Sequence, residues 1–217
     1  MNKVTTVKSA VSHVKNGDVL LVGGFLHGGS PEFLLSALLE TEALDLTIVS
    51  NDTGTENTNT IKLQRQGRVK KVYASYIGAN QETGRMLMED ENSVELCPQG
   101  SLAERIRAGG AGIAGFLTPV GVNTIIEKGK QKIELDGKAY LLEKPIRGNV
   151  AFVHATIADE MGNCIMKGST KNFNAIMPAA ADYTIVEAEE IVPVGDLDPD
   201  HITVPGIFVK AVVKVEN

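Results

Sequence analysis

The sequence predicts an α/β protein built on an open, mostly parallel twisted sheet flanked by helices. Three observations carry that expectation. Short apolar runs recur along the 217 residues without polar alternation, as strands covered on both faces require. Helical stretches lie between several of these runs, so strand and helix alternate. One segment leaves this rhythm and reads as a β-hairpin appended to the sheet.

Composition sets the bounds. Hydrophobic residues at 43% and charged residues at 22% are globular values and exclude a disordered chain. The length suits a single domain over residues 1–217. Twenty-one Lys and Arg against 27 Asp and Glu leave a net charge of −6. That sign argues against a general nucleic-acid or membrane-surface binder, both of which need basic surface to meet phosphates. No apolar run approaches the ~20 residues of a spanning helix, and no signal-peptide core opens the sequence. Cys97 and Cys164 are too few for a disulfide framework or a cysteine zinc site. The expectation is a soluble, cytoplasmic protein.

Val7, Ala10, Val11 and Val14 fall at helical spacing behind Thr5 or Thr6, either of which can cap the first turn. Gly17 stands where a helix stop belongs. Val19 to Val22 is the first continuous apolar run. Others follow at Leu46 to Val49, Lys71 to Ala74, Val94 to Cys97, Val150 to Val153, Tyr183 to Val186 and Phe208 to Val215. Helices are predicted over 31–40, 81–88 and 102–108. The Asn/Thr-rich stretch 51–60 is polar and reads as a loop. Lys132 to Leu135 and Lys138 to Leu141 flank Asp136-Gly137, a pair suited to a two-residue hairpin because both positions tolerate positive φ. Ligands of open α/β sheets sit beyond the carboxyl ends of the strands. That directs attention to three loops: 23–30, 51–60 and 98–100.

The first of them is Gly23-Gly24-Phe25-Leu26-His27-Gly28-Gly29-Ser30, running into Pro31-Glu32. Ser30 is the expected N-cap and Pro31 the first helical residue. The glycines let a ligand approach the backbone, and amides near a helix start can meet an anion. The same features serve a tight strand-to-helix turn with no ligand. The spacing is neither the dinucleotide fingerprint nor the Walker loop. His27-Gly28-Gly29 has the lettering of an esterase oxyanion loop, but there is no Gly-x-Ser-x-Gly elbow to match. Gly110 to Gly115 spells G-x-G-x-x-G after a helix, not a strand, and reads as a close-packed connection. His13, His27, His154 and His201 lack metal-ligand spacing, so no metal site is expected. Cys97 reads as a small buried apolar residue at a strand end. Lys62, Arg65, Arg68, Lys70 and Lys71 read as a solvated face, with contact to a polyanionic cofactor as the alternative. Glu187-Ala188-Glu189-Glu190 reads as an exposed edge, and Glu32 as a favourable helix-start charge.

Longer blocks are more specific. Asn16 to Pro31 resembles the N-terminal signature of family I CoA-transferases. Cys97-Pro98-Gln99-Gly100-Ser101-Leu102-Ala103-Glu104-Arg105-Ile106-Arg107-Ala108-Gly109-Gly110-Ala111-Gly112, continuing into 115–122, resembles a second motif of that family. Asn172-Phe173-Asn174, with Ala188 to Val192 and Pro205-Gly206, resembles a third. The likeness spans essentially the whole chain and is nearest to the α subunits of bacterial acetate, butyrate or acetoacetate CoA-transferases. Ala114, Val120 and Asn123 depart from the pattern, where proline, threonine and glycine are usual.

The resemblance implies a related α/β fold and covalent catalysis. A glutamate attacks an acyl-CoA thioester to give an acyl anhydride, the CoA thiolate converts this to a glutamyl-CoA thioester, and an acceptor carboxylate reverses the steps. In the family that glutamate lies in a Ser-Glu-Asn-Gly motif of the β subunit. Here Asp90-Glu91-Asn92-Ser93 lacks the glycine, so the nucleophile is expected from a partner in a two-α, two-β heterotetramer. Gln99 is the implied oxyanion donor. Gly24, Phe25, Leu26, His27, Gly28, Gly29 and Ser30 are the implied CoA-binding segment, with coenzyme A acting as substrate and no cofactor held tightly. The related fold also serves sugar-phosphate isomerases and sensor domains, so a non-catalytic ligand-binding module is the alternative.

Overall fold

In the computed structural model, which describes residues 2–216, the Thr6 hydroxyl accepts the Ser9 amide and opens α1 (Val7–Val11). Gly17, at φ +80°, turns the chain into β1 (Val19–Val22). Next come α2 (Glu32–Leu39), β2 (Leu46–Ser50), α3 (Asn59–Arg65), β3 (Val69–Ala74), α4 (Gln81–Glu89), β4 (Val94–Leu96) and α5 (Gln99–Ala111). β5 (Phe116–Thr118), β6 (Lys132–Leu135) and β7 (Lys138–Glu143) follow. The chain finishes through β8 (Gly148–Asp159), the short β9 (Cys164–Ile165), β10 (Ala181–Val192) and β11 (Ala211–Lys214).

The main sheet has the order β11-β10-β8-β1-β2-β3-β4. Every pairing along that path is parallel, and β9 adds antiparallel to β8. The chain winds outward from β1 to β4, then restarts at β8 on the other side of β1. That reversal puts a topological switch point beside β1, where an open sheet offers a ligand crevice.

Both faces of the sheet are covered, which is why its strands read as unbroken apolar runs. Successive side chains of β1 alternate between the faces. Leu20 and Val22 join Leu34, Leu35, Leu38 and Leu63 of α2 and α3 in one core cluster. Leu21 joins Leu102, Ile106 and Met177 in the other, under α5 and a one-turn helix at Met177–Ala180.

Several expectations need correction. The 51–60 stretch is not all loop, since Asn59 and Thr60 begin α3. The hairpin forms on Asp136 and Gly137, both at positive φ, but β5 joins it to make a three-stranded antiparallel sheet of its own. α5 starts at Gln99 and runs on through Gly109 and Gly110 to the left-handed cap at Gly112. A Cβ on Gly110 would lie 3.0 Å from the Ala179 backbone and one on Gly115 2.8 Å from the Glu143 carbonyl oxygen, so two glycines of the G-x-G-x-x-G lettering mark close packing. Within the basic group, Lys62, Arg65 and Lys70 are exposed, but Arg68 is buried. Its guanidinium donates to the carbonyls of Leu38, Leu39 and Ala43, closing the C-terminus of α2 where carbonyls lack intrahelical partners.

β8 and β10 run well past the short apolar runs that announce them. Val22, the last residue of β1, pairs with Phe152, while β8 and β10 stay paired as far as Asp159 and Val192. They form a ledge beyond the end of β1.

Candidate functional site

The three loops singled out in the sequence meet at the carboxyl ends of β1, β2 and β4, and side chains of the β2 loop join them. Gln99 stands at the first turn of α5, exposed. Its Nε2 donates to Oδ1 of Asn51 at 2.6 Å. Asn51 Nδ2 donates to Oδ2 of Asp52 at 2.8 Å, and the same oxygen accepts the Leu26 amide at 2.8 Å. Gln99 and the glycine loop are thus the two ends of one hydrogen-bonded chain. Asp52 Oδ1 accepts the Gly54 amide, so both carboxylate oxygens are engaged.

The β2 loop is itself held firmly. Asn51 is buried, and its carbonyl accepts both the amide and the hydroxyl of Ser75 at the end of β3. Asn80, which caps α4 through its Oδ1, donates from Nδ2 to the Thr53 carbonyl.

The glycine loop folds back on itself through paired Phe25 and Gly28 hydrogen bonds. Leu26 sits at φ +50° and is kept there by the Asp52 bond. The loop is clamped from the other side by a segment far along the chain. Asn172 Oδ1 accepts the Gly24 amide and its Nδ2 donates to the Gly28 carbonyl. Asn174 Nδ2 donates to the Gly29 carbonyl, and its Oδ1 accepts the His154 amide. A Cβ on Gly23 would lie 1.8 Å from Asn174 Oδ1. Part of the glycine content therefore answers to packing within the chain. Among the described residues, the amides of His27, Gly29 and Ser30 make no hydrogen bond within the protein. The His27 ring reaches Thr55 Oγ1 at 3.4 Å.

Ser30 is not the N-cap of α2. The helix begins at Glu32 after Pro31 with no side-chain cap from either, and the Ser30 hydroxyl donates to Glu32 Oε1. Glu32 lies in the first turn of α2, as expected, and also accepts the Asn59 amide at the start of α3, both favourable places for a carboxylate. The first turn of α2 is completed by Glu187, whose Oε2 accepts the Leu34 amide at 2.9 Å. Glu187 is thus no exposed edge. It is buried, and its Oε1 lies 2.9 Å from His154 Nδ1, while Glu189 Oε1 lies 3.0 Å from Nε2. Burial pulls the His154 imidazole down, but the two carboxylates outweigh it and the net shift is upward.

The remaining nucleophile candidates are out of play. Cys97 is buried, with Arg105 at 3.1 Å. Burial outweighs that cation and pushes the thiol up to about 11, far from a reactive thiolate. Glu91 precedes β4, at the amino ends of the strands, and faces Lys128 in solvent. It is on the wrong side of the sheet to meet Gln99. Among the described residues no group of three or more His, Cys, Asp or Glu is placed to hold a metal ion, and no helix is long and apolar enough to cross a membrane.

Reading residue types missed Asn51, Asp52, Asn172, Asn174, His154 and Glu187. The position of Asn51-Asp52 directly after an apolar strand run was a usable signal. Asn172 and Asn174 stood in the third family-like block, while His154 and Glu187 act through partners remote in sequence.

This is an open parallel α/β sheet with a polar chain across the carboxyl ends of β1, β2 and β4, and comparison makes the class specific. The family model described as coenzyme A transferase matches residues 4–215. The chain belongs to the coenzyme A transferase family. It is 46% identical over 211 residues to the acetate CoA-transferase subunit alpha of Escherichia coli, covering 97% of this chain and 96% of that one. It is 46% identical over 213 residues to the acetoacetyl-CoA:acetate/butyrate CoA transferase alpha subunit of Clostridium acetobutylicum, covering 98% of each. In three dimensions it is similar to an Escherichia coli acyl-CoA transferase crystallised as a thioester complex with CoA. That match has a TM-score of 0.89 at 21% identity, over 99% of this chain and 47% of that one, so this chain spans about half its length. Glutaconate coenzyme A-transferase of Acidaminococcus fermentans gives a TM-score of 0.86 at 23% identity, over 98% of this chain and 75% of that one. Those two likenesses establish the fold.

Proposed function

We infer that this chain is the α subunit of a heteromeric CoA-transferase that moves CoA between a short-chain acyl-CoA and a free carboxylate such as acetate, butyrate or acetoacetate. The observation that carries this reading is the hydrogen-bonded chain from Gln99 through Asn51 and Asp52 to Leu26. It places an amide donor beside a loop with unengaged backbone N–H groups, and among the described residues no free carboxylate nucleophile stands next to them.

Such a site needs its nucleophile from a β subunit. The partner's glutamate attacks the thioester carbonyl carbon, charge develops on the carbonyl oxygen, and the Gln99 N–H not used by Asn51 donates to it. The C–S bond breaks, CoA leaves as thiolate, and an acyl–glutamyl anhydride remains. The thiolate then attacks the glutamyl carbonyl and expels the carboxylate, leaving glutamyl-CoA. An acceptor carboxylate runs the same steps backward and departs as its own CoA ester. The glycine loop, residues 24–30, contributes backbone amides to the phosphate or pantetheine part of CoA. Assembly as two α and two β subunits in the cytoplasm follows the same reading. The relatives named above are transferase subunits, which favours it over a ligand-binding module.

The test mixes purified α with and without β and follows CoA exchange between acetyl-CoA and butyrate or acetoacetate. Exchange is expected only from the mixture, and activity from α alone would overturn the assignment. In the assembled enzyme Gln99→Ala is expected to lower kcat on the order of 100-fold.

A further inference from the structure

A primary amide presents an acceptor at one end and a donor at the other, and rotating it by half a turn exchanges them. For Gln99 the difference decides its use, because only the NH2 end can stabilise negative charge on a thioester oxygen. Gln99 is exposed at a helix start, where nothing local selects one orientation. The selection comes from two residues behind it. Asp52 as a carboxylate only accepts, and it is held on both oxygens by the amides of Leu26 and Gly54. Asn51 must therefore turn its NH2 toward Asp52, at 2.8 Å, and its carbonyl oxygen the other way. An oxygen facing Gln99 accepts only the Nε2 end, at 2.6 Å.

We propose that Asn51 is a positioning residue for Gln99: backed by Asp52, it fixes the donor end of the Gln99 amide toward the crevice. This rests on the reading of Gln99 as oxyanion donor, and it adds that the direction of that amide is set by a polarity passed along Asp52, Asn51 and Gln99. Asn51 is buried and acts only through the glutamine.

The test uses the assembled α–β enzyme and four α variants: Gln99→Ala, Asn51→Ala, the double variant and Asn51→Asp. Asn51→Ala is expected to lower kcat on the order of 10-fold or more, with KM little changed, and to have no further effect once Gln99 is alanine. An equal loss in the Gln99→Ala background, a loss confined to KM, or no loss overturns the proposal. A silent Gln99→Ala overturns the donor reading and this proposal together, whereas a damaged Gln99→Ala beside a silent Asn51→Ala overturns this proposal alone. Asn51→Asp covers the case in which alanine prevents folding. Protonated, it keeps a donor toward Asp52 and an acceptor toward Gln99. Ionised, it sets two carboxylates side by side. Its kcat is expected to recover toward the wild-type value as pH falls, and a kcat as low as that of Asn51→Ala at every pH, in a folded variant, overturns the proposal.

Discussion

His154 shows how much a single residue's surroundings matter here. Both ring nitrogens face carboxylate oxygens, at 2.9 and 3.0 Å, so the doubly protonated ring is the form with every donor satisfied. Burial lowers the pKa, the two glutamates raise it further, and the balance is upward from 6.5. A raised native pKa stabilises the fold fully below the unfolded value, and the contribution is lost as pH rises through the native one. Thermal denaturation is therefore expected to show a stability loss above pH 6.5 that is absent in His154→Gln. A His154→Gln variant that kept the same pH slope would assign the loss elsewhere. Residue type alone could not show this. Glu187 lies in an acidic cluster that reads as solvent-facing, and its partners are 33 and 153 positions away. Arg68 deceived for the same reason, since the carbonyls that satisfy it belong to α2 and the turn after it.

Among the elements, the glycine loop and α4 make opposite use of glycine. A Cβ on Gly23 would enter Asn174, which also holds Gly29 and His154. Gly23→Ala is expected to cost about 1–3 kcal/mol by overpacking and to loosen the loop, read as a lower urea midpoint together with weaker CoA binding in the assembled enzyme. Gly84 lies inside α4, and a Cβ there would have nothing within 4 Å of it. Gly84→Ala is expected to add roughly 0.5–1 kcal/mol by removing a poor helix former, with exchange activity unchanged. Most elements were legible: β1 runs over the residues expected, α4 over one more, and the hairpin turns on Asp136-Gly137. What could not be read was the length of β8 and β10. Their outer halves carry His154, Thr156, Glu187 and Glu189, polar residues that end an apolar run while continuing a strand. The meeting of Gln99 with Asn51 was likewise invisible, because it depends on the sheet order placing β2 and β4 on either side of β3.

For the whole molecule, the edge that bears Gln99 is also an apolar rim. Phe25, Leu26, Tyr76 and Leu96 are exposed at the carboxyl ends of β1, β3 and β4, a grouping that suits burial by another chain. Tyr76→Glu is expected to weaken association with β at least tenfold in sedimentation equilibrium, leaving the secondary structure of α by circular dichroism intact. Unaltered association would place the β contact on another face. The sheet order also dictates a timetable. Residues up to Ala111 contain everything from Asn51 to Gln99, but β1 gains its second neighbour only at Val150, the glycine loop its clamps at Asn172 and Asn174, and α2 its terminal acceptor at Glu187. A nascent polypeptide leaving the ribosome therefore carries the glycine loop without its clamps until the final third has been translated.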